Sequence, residues 1–259
     1  MQQTIGTKVE TPNQVIVKLP DGVYQLDRTI SGLVLPSGIN PSDYAMIHSL
    51  RTDGSDANYS AASAISMNQG FNRLKYEPAH VEVLKLGLAV STPAQFMPHL
   101  RNVNDALNGR GVLYDAVGNL IEGERLEQYS KILNYGHWVW LNASFPKGGG
   151  FLGLDLATIT GLDDEENPIK RLVPLERCLE DDGWADIDSL NSQGFPTRKA
   201  GIDKYEPGKT LYFLKPQRDR VAGSCAVGVW LCLLCDRNPL DQYSSLGVFP
   251  VFNAGSLAH

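Results

Sequence analysis

The sequence predicts a mainly β protein of the α+β class, with a mostly antiparallel sandwich or barrel-like sheet and two or three inserted helices. Three observations favour this class. Short segments of alternating apolar and polar residues recur along the chain, turn residues separate them, and no regular strand–helix–strand rhythm appears. Strands joined directly by turns form antiparallel sheets, whereas parallel neighbours need a longer crossover.

The chain begins with a predicted β-hairpin. Residues 15–19 and 23–26 have the strand pattern, and Pro20-Asp21-Gly22 supplies the turn between them. Residues 30–35 continue the strand pattern.

Two later segments are harder to assign. Residues 56–67 are rich in Ala and Ser, and we predict a short helix there. Residues 81–90 are predicted as a strand with a β-bulge, because their apolar positions change phase after Val83.

Two helices have clear signals. Thr92-Pro93-Ala94-Gln95 is a capping box with proline at the first helical position. An apolar stripe at helical spacing follows it, formed by Phe96, Leu100, Val103 and Leu107. Residues 124–134 have a second such stripe, and Gly136 is a candidate C-cap.

The remaining pattern is strand and turn. In residues 137–145 we expect Trp138 and Trp140 on one face and Val139, Leu141 and Ala143 on the other. Residues 227–234 are apolar on both faces and predict a central strand. Further strands are expected at residues 112–115, 120–121, 151–160, 169–173 and 210–214.

Length and composition predict one globular domain over residues 1–259, since no Gly/Ser- or Pro-rich linker divides the chain. The formal net charge of −6 argues against a uniformly basic nucleic-acid surface. The longest apolar run, residues 227–235, is about half of the roughly 20 residues that a membrane helix needs. We therefore expect no membrane partner. The net charge does not exclude nucleic-acid binding through a local groove, because it averages over the whole surface.

The cysteines point to a reducing compartment. The chain has four, three of them between Cys225 and Cys235, which is too few and too clustered for a disulfide framework. The N-terminal residues have neither a basic start nor an apolar run. We expect a cytoplasmic location, or a particle assembled in the cytoplasm.

Two cysteine motifs are candidates for chemistry. Cys232 and Cys235 have the spacing of a metal knuckle or a redox pair, but no second ligand pair accompanies them, so core packing is favoured. Gly223-Ser224-Cys225 lacks the flanking glycines of a nucleophile elbow and is favoured as the entrance of a strand.

The segment Lys147–Gly150 resembles a phosphate loop only in its glycines, because the lysine precedes them and a strand follows. We favour a flexible hairpin tip, exposed for contact with a partner.

Acidic and histidine side chains are the remaining candidates. The densest acidic patch misses the EF-hand spacing and is favoured as a solvated helix end and turn; it consists of Glu176, Glu180, Asp181, Asp182, Asp186 and Asp188. The histidines are far apart in sequence, and His137 beside two tryptophans is the first to check; they are His48, His80, His99, His137 and His259. We expect no cofactor and no metal, and the catalytic residues stay unknown.

These features favour a non-catalytic structural subunit of a larger assembly, such as a phage or virus particle component, that associates with itself or with other protein subunits. One alternative is a hydrolase-type enzyme with a dispersed active site, which requires a pocket gathering a histidine with carboxylates or Cys225. Another is a nucleic-acid-binding subunit of an effector complex. That alternative requires several basic residues to converge on one groove: Lys170, Arg171, Arg198, Lys199, Arg218 and Arg220.

Overall fold

The structure is a computed structural model. It describes residues 16–19, 22–25, 36–51, 56–58, 63–134, 136–227 and 230–253, and the side chains within residues 36–47, 63–134, 136–226 and 230–253. The α-helices of this part are α1 (Tyr76–Lys85), α2 (Pro93–Leu107) and α3 (Gly123–Asn134), and two short 3₁₀ helices span Pro41–Asp43 and Phe151–Gly153. The first strands are β1 (Ile16–Leu19), β2 (Gly22–Gln25), β3 (Tyr44–Arg51), β4 (Asp56–Asn58), β5 (Ser63–Ser66), β6 (Ala89–Val90), β7 (Gly111–Asp115) and β8 (Leu120–Ile121). The later strands are β9 (His137–Ser144), β10 (Asp155–Leu162), β11 (Pro168–Pro174), β12 (Gly183–Asp186), β13 (Thr210–Leu214), β14 (Val221–Val227), β15 (Trp230–Arg237), β16 (Leu246–Gly247) and β17 (Pro250–Asn253).

Two large open sheets make up most of the described fold. The larger sheet has the order β11-β10-β9-β14-β15-β13-β12, and β16 also pairs with β9. The smaller sheet has the order β6-β17-β5-β3-β7-β8, and β4 also pairs with β3. Pairing is antiparallel except between β13 and β15 and between β16 and β9. The prediction of a mainly β, sandwich-like α+β fold is confirmed, and the described strands close no barrel.

The main core joins the two sheets and the helices. It contains Ile65 from the smaller sheet, Leu141 and Phe213 from the larger one, Phe96 from α2 and Tyr129 from α3. A second cluster packs α1 against the other face of β9. Because successive strand residues point to opposite faces, β9 contributes to both clusters.

Strand β9 confirms the predicted division of its faces. Val139, Leu141 and Ala143 belong to the main core. Trp138 and Trp140 belong to the second cluster, with Trp140 fully buried.

Several other predictions are confirmed. Strands β1 and β2 pair antiparallel as the predicted hairpin, and β7, β8 and β11 lie in segments predicted as strands. The strand predicted at residues 151–160 begins only at Asp155, because Phe151–Gly153 forms a short 3₁₀ helix. At the start of α2, Gln95 N donates to Thr92 Oγ1 (3.3 Å) and Thr92 N donates to Gln95 Oε1 (3.0 Å), which closes the capping box. Helix α3 and the central position of β15 also agree with the prediction. The predicted strand at residues 30–35 lies outside the described residues.

Three turns have the same hydrogen-bonding pattern, in which an Asp or Asn side chain at the start of the turn accepts from the backbone. Asp115, Asp163 and Asn191 each accept hydrogen bonds on Oδ1 from the backbone N–H groups two and four residues later. In each turn the residue three places later has a positive φ, and in two of them it is glycine. Side-chain caps of this kind close the β7–β8 and β10–β11 hairpins.

The helix predicted at residues 56–67 is wrong, because β4 and β5 occupy this segment. All four residues of Ser63–Ser66 are buried, and β5 lies between β3 and β17. Pairing on both edges outweighs the helix preference of alanine, which is worth only about 1 kcal/mol per residue.

The bulged strand predicted at residues 81–90 is also wrong, apart from Ala89–Val90. Helix α1 buries Tyr76, Ala79, His80 and Val83, which recur at helical spacing. The apparent change of phase was the end of this stripe, whose first half lies before residue 81.

Candidate functional site

The structure separates Cys232 from Cys235. Their spacing of three places them on opposite faces of β15. Cys235 lies in the main core, whereas Cys232 lies in a small cluster on the outer face. The two thiols therefore cannot bind one metal ion as a knuckle does. The interpretation as core packing agrees with the burial of both side chains.

Gly223-Ser224-Cys225 is not the entrance of a strand but the middle of β14. Ser224 is buried, and its Oγ donates to the carbonyl of Cys232 at 2.9 Å. This serine holds two strands together and is not presented to a substrate.

The glycine segment after Lys147 is packed rather than a loose tip. A Cβ on Gly148 would lie 2.0 Å from Asp155 Cγ, and one on Gly150 would lie 2.1 Å from Leu175 N. Gly149 N donates to Asp155 Oδ1 at 3.0 Å. Glycine is needed at Gly150, because backbone atoms approach too closely for any side chain, and at Gly148 the Asp155 side chain would have to move; Gly149 has open space around it.

The acidic residues each have a partner of their own. Asp181 pairs with Lys199 at 2.9 Å, Asp188 with Arg101 at 2.9 Å, and Asp186 with Arg198. Glu176 accepts from Ser192, Glu180 pairs with Arg177, and Asp182 accepts from Lys215 N. The predicted helix end is wrong, because a loop and β12 occupy the segment. Within the described residues, no three His, Cys, Asp or Glu side chains are placed to hold a metal ion.

The three histidines with described side chains lie on different elements. His80 and His99 are buried in α1 and α2. His137 begins β9, and its Nδ1 lies 2.8 Å from Gln69 Oε1. Gln69 Nε2 donates to Trp138 O at 2.7 Å. The Gln69 amide therefore contacts the first two residues of β9, His137 and Trp138. The side chains of His48 and His259 lie outside the described residues.

The basic residues do not converge on one groove. Lys170 and Arg171 lie on β11 at one edge of the larger sheet, whereas Arg198 and Lys199 run beside β12 at the other. Six strand spacings separate these edges, which is roughly 29 Å. Arg218 pairs with its neighbour Asp219 at 3.5 Å. Of these six basic residues, Arg220 and Lys170 line the same pocket.

That pocket has a volume of about 280 Å³ and lies between α1, β9, β10, β11 and the loop before β14. Its polar lining comprises Tyr76, Glu77, Ser144, Lys170, Asp219 and Arg220. Lys170 Nζ lies 2.5 Å from Glu77 Oε1, so one of the two cations is neutralised. Burial raises the pKa of Tyr76 above its ordinary value. Neither histidine nor cysteine is among the lining residues, so the pocket lacks the groups that the hydrolase alternative requires.

Sequence reasoning missed a row of side chains across the outer face of the larger sheet. The pairing registers place Trp184 of β12 opposite Tyr212 of β13, and Tyr212 opposite Cys232 of β15. Cys232 then lies opposite Cys225 of β14, and Cys225 opposite Trp138 of β9. The sequence does contain aromatic residues in three short strands, namely Trp184, Tyr212 and Trp230. Their proximity follows only from the order of these strands in the sheet.

Four aromatic rings form a cluster at one end of this row, which we call the aromatic patch: Trp184, Tyr205, Tyr212 and Trp230. Ring centroids lie 5.3 Å apart for Trp184 and Tyr212 and 5.8 Å apart for Trp184 and Trp230. Both pairs meet edge to face, a favourable arrangement for aromatic rings. Trp230 remains 51% exposed, and the other three rings are partly exposed.

The charged residues that flank the aromatic patch form ion pairs. Glu206 pairs with Lys209 at 3.3 Å and with Lys204 at 3.8 Å, and Arg198 pairs with Asp186. These pairs contain three cations and two carboxylates, so one positive charge is in excess. Every charge among them has an ion-pair partner, unlike the uncompensated basic surface that binds a polyanion.

None of the described helices is long and apolar enough to cross a membrane. Comparison with protein-family models, with curated proteins and with solved structures finds no match to this chain.

Proposed function

We propose that this chain is a non-catalytic subunit of a protein assembly, and that the aromatic patch is a contact surface between copies of the chain. The single observation that supports the proposal most is the exposure of Trp230, which is 51% accessible within a cluster of four aromatic rings. Contiguous exposed apolar surface of this kind marks interaction sites in soluble proteins.

The composition of the patch supports a protein partner. Tryptophan, tyrosine and arginine supply most of the binding free energy in protein interfaces. The rings already brace one another, so little side-chain entropy remains to be lost on binding. The ion pairs around Glu206 and Asp186 leave one positive charge in excess, so a second copy of the same surface meets little repulsion from them in a symmetric dimer contact.

The test measures mass by light scattering against protein concentration for the wild type, Trp230→Ala and Trp184→Ala. We expect the wild type to associate, and each substitution to weaken association by about 30-fold or more, the effect of losing about 2 kcal/mol. Val117→Ala is the matched control, because Val117 is 59% exposed but lies in the β7–β8 turn of the smaller sheet.

The outcomes separate the alternatives. A wild-type monomer up to about 100 µM, where a micromolar complex would be formed, contradicts self-association. Association that both tryptophan variants retain contradicts the assignment of the surface. A mass that rises only with added nucleic acid favours the effector-subunit alternative instead.

A further inference from the structure

Two of the four cysteines face each other on the outer side of the larger sheet. Cys225 of β14 and Cys232 of β15 are direct partners in the antiparallel register. Opposed residues of antiparallel strands have Cα atoms about 4.5 to 5.5 Å apart, within the range of about 4.4 to 6.8 Å that a disulfide spans. The backbone therefore already holds these residues at bonding distance.

The two thiols also interact with each other. A hydrogen bond from Cys225 lowers the pKa of the Cys232 thiol against the opposing effect of burial. That hydrogen bond and burial raise the pKa of Cys225, while the positive charge of Arg237 partly opposes the rise. Cys232 is thus the better nucleophile of the pair, since the thiolate is the reactive form.

The pair lies on the outer face of the larger sheet, and both side chains are buried there. Cys225 is 4% exposed and Cys232 is 7% exposed, in a small cluster whose other members include the partly buried Trp138, Tyr212 and Leu214. Cys235 differs, because it is completely buried in the main core.

We propose that Cys225 and Cys232 form a reversible cross-strand disulfide when the protein meets hydrogen peroxide. The Cys232 thiolate attacks one peroxide oxygen, the O–O bond breaks, and the departing hydroxide takes a proton to become water. The resulting sulfenic acid is attacked by the Cys225 sulfur, the S–O bond breaks, and a second water leaves as the S–S bond forms. Two thiols are oxidised and one peroxide is reduced, and cellular thiols reverse the bond. This site does not depend on the proposed assembly function.

The test treats the full chain with hydrogen peroxide, alkylates the remaining thiols and maps peptides without reduction. Trp230 lies between the two cysteines, so chymotrypsin separates them and a disulfide holds two peptides together. We expect one linked pair containing Cys225 and Cys232, a loss of two hydrogen atoms from the intact mass, and reversal by dithiothreitol.

Three variants sharpen the result. Cys225→Ser and Cys232→Ser should abolish the linked peptides, whereas Cys178→Ser should retain them, because Cys178 lies in the main core. A wild-type map with no Cys225–Cys232 link, or a link that appears only in denaturant, overturns the proposal. Oxidation that stops at sulfinic acid also overturns it. The wild-type map decides alone if a serine variant does not fold.

Discussion

Acidification should destabilise this protein through two buried histidines, before most carboxylates are protonated. His80 is buried in α1 with Nδ1 2.8 Å from the carbonyl of Tyr76, and His99 is buried in α2 with Nε2 2.6 Å from the hydroxyl of Tyr129. Burial lowers the pKa of His80 to about 4 and the pKa of His99 to about 3. Hydrogen bonds to Tyr76 and Asn142 oppose the shift at His80 only in part.

The sign follows from proton binding. An unfolded histidine takes up its proton near pH 6.5, so below that pH the unfolded chain binds more protons than the folded one. The free energy of unfolding therefore falls as the pH drops from about 6.5 to about 4 for His80, and on to about 3 for His99. At pH 5 each histidine contributes a loss of roughly 2 kcal/mol, which is large beside a typical total of about 5 to 15 kcal/mol.

The assay is urea unfolding at several pH values between 8 and 5, for the wild type, His80→Gln and His99→Gln. Each substitution should remove about 2 kcal/mol of the pH-dependent change between these limits, whatever it does to stability at pH 8. His137→Gln is the control and should remove less, because that ring is only partly buried. Parallel curves for the wild type and both buried-site variants would refute the argument.

Two further substitutions test the turns. Gly194→Ala should cost about 3 kcal/mol in thermal or urea unfolding, because φ is +88° and a Cβ would lie 2.2 Å from Ala94 N at the start of α2. Gly201→Ala, with open space around it, should change stability by less than about 0.5 kcal/mol, and an equal effect would contradict the packing argument. Asp115→Ala should cost about 2 to 3 kcal/mol, because Asp115 is fully buried and removing it leaves Arg125 and two backbone N–H groups without their acceptor. Asp163→Ala removes the same turn hydrogen bonds at an exposed site and should cost clearly less than Asp115→Ala; the reverse order would refute the role of burial.

Local signals predicted the elements whose information lies within a few residues. The capping box at Thr92 needs only its own turn, and the faces of β9 follow from alternation alone. The segments that failed depended on distant partners. Strand β5 is a strand because β3 and β17 flank it, and β17 comes from residues about 190 positions later. No local pattern contains that pairing.

The candidate site was harder to predict for the same reason. Trp184, Tyr212 and Cys232 are neighbours because β13 pairs with β12 on one side and with β15 on the other. Strand β14 lies between β13 and β15 in the sequence, so the parallel pairing of β13 with β15 is not visible locally. Cys225 and Cys232 are closer along the chain, but their pairing needs the register of the β14–β15 hairpin. The sequence pattern instead drew attention to the spacing of Cys232 and Cys235, for which core packing was favoured, and it offered no pairing of Cys225 with Cys232.

The arrangement of polar and apolar groups supports the proposed interaction subunit over the enzyme alternative. Ser224 donates to a strand carbonyl, His80 lies against the carbonyl of its own helix, and Glu176 accepts from the loop at Ser192. An active site needs such groups free and converging on a cleft, because they must exchange protons with a substrate. These three groups form hydrogen bonds within the fold, whereas Trp230 is 51% exposed. Exposed aromatic area is unfavourable in an isolated chain and favourable once covered, so this distribution is expected of a surface that a second protein covers.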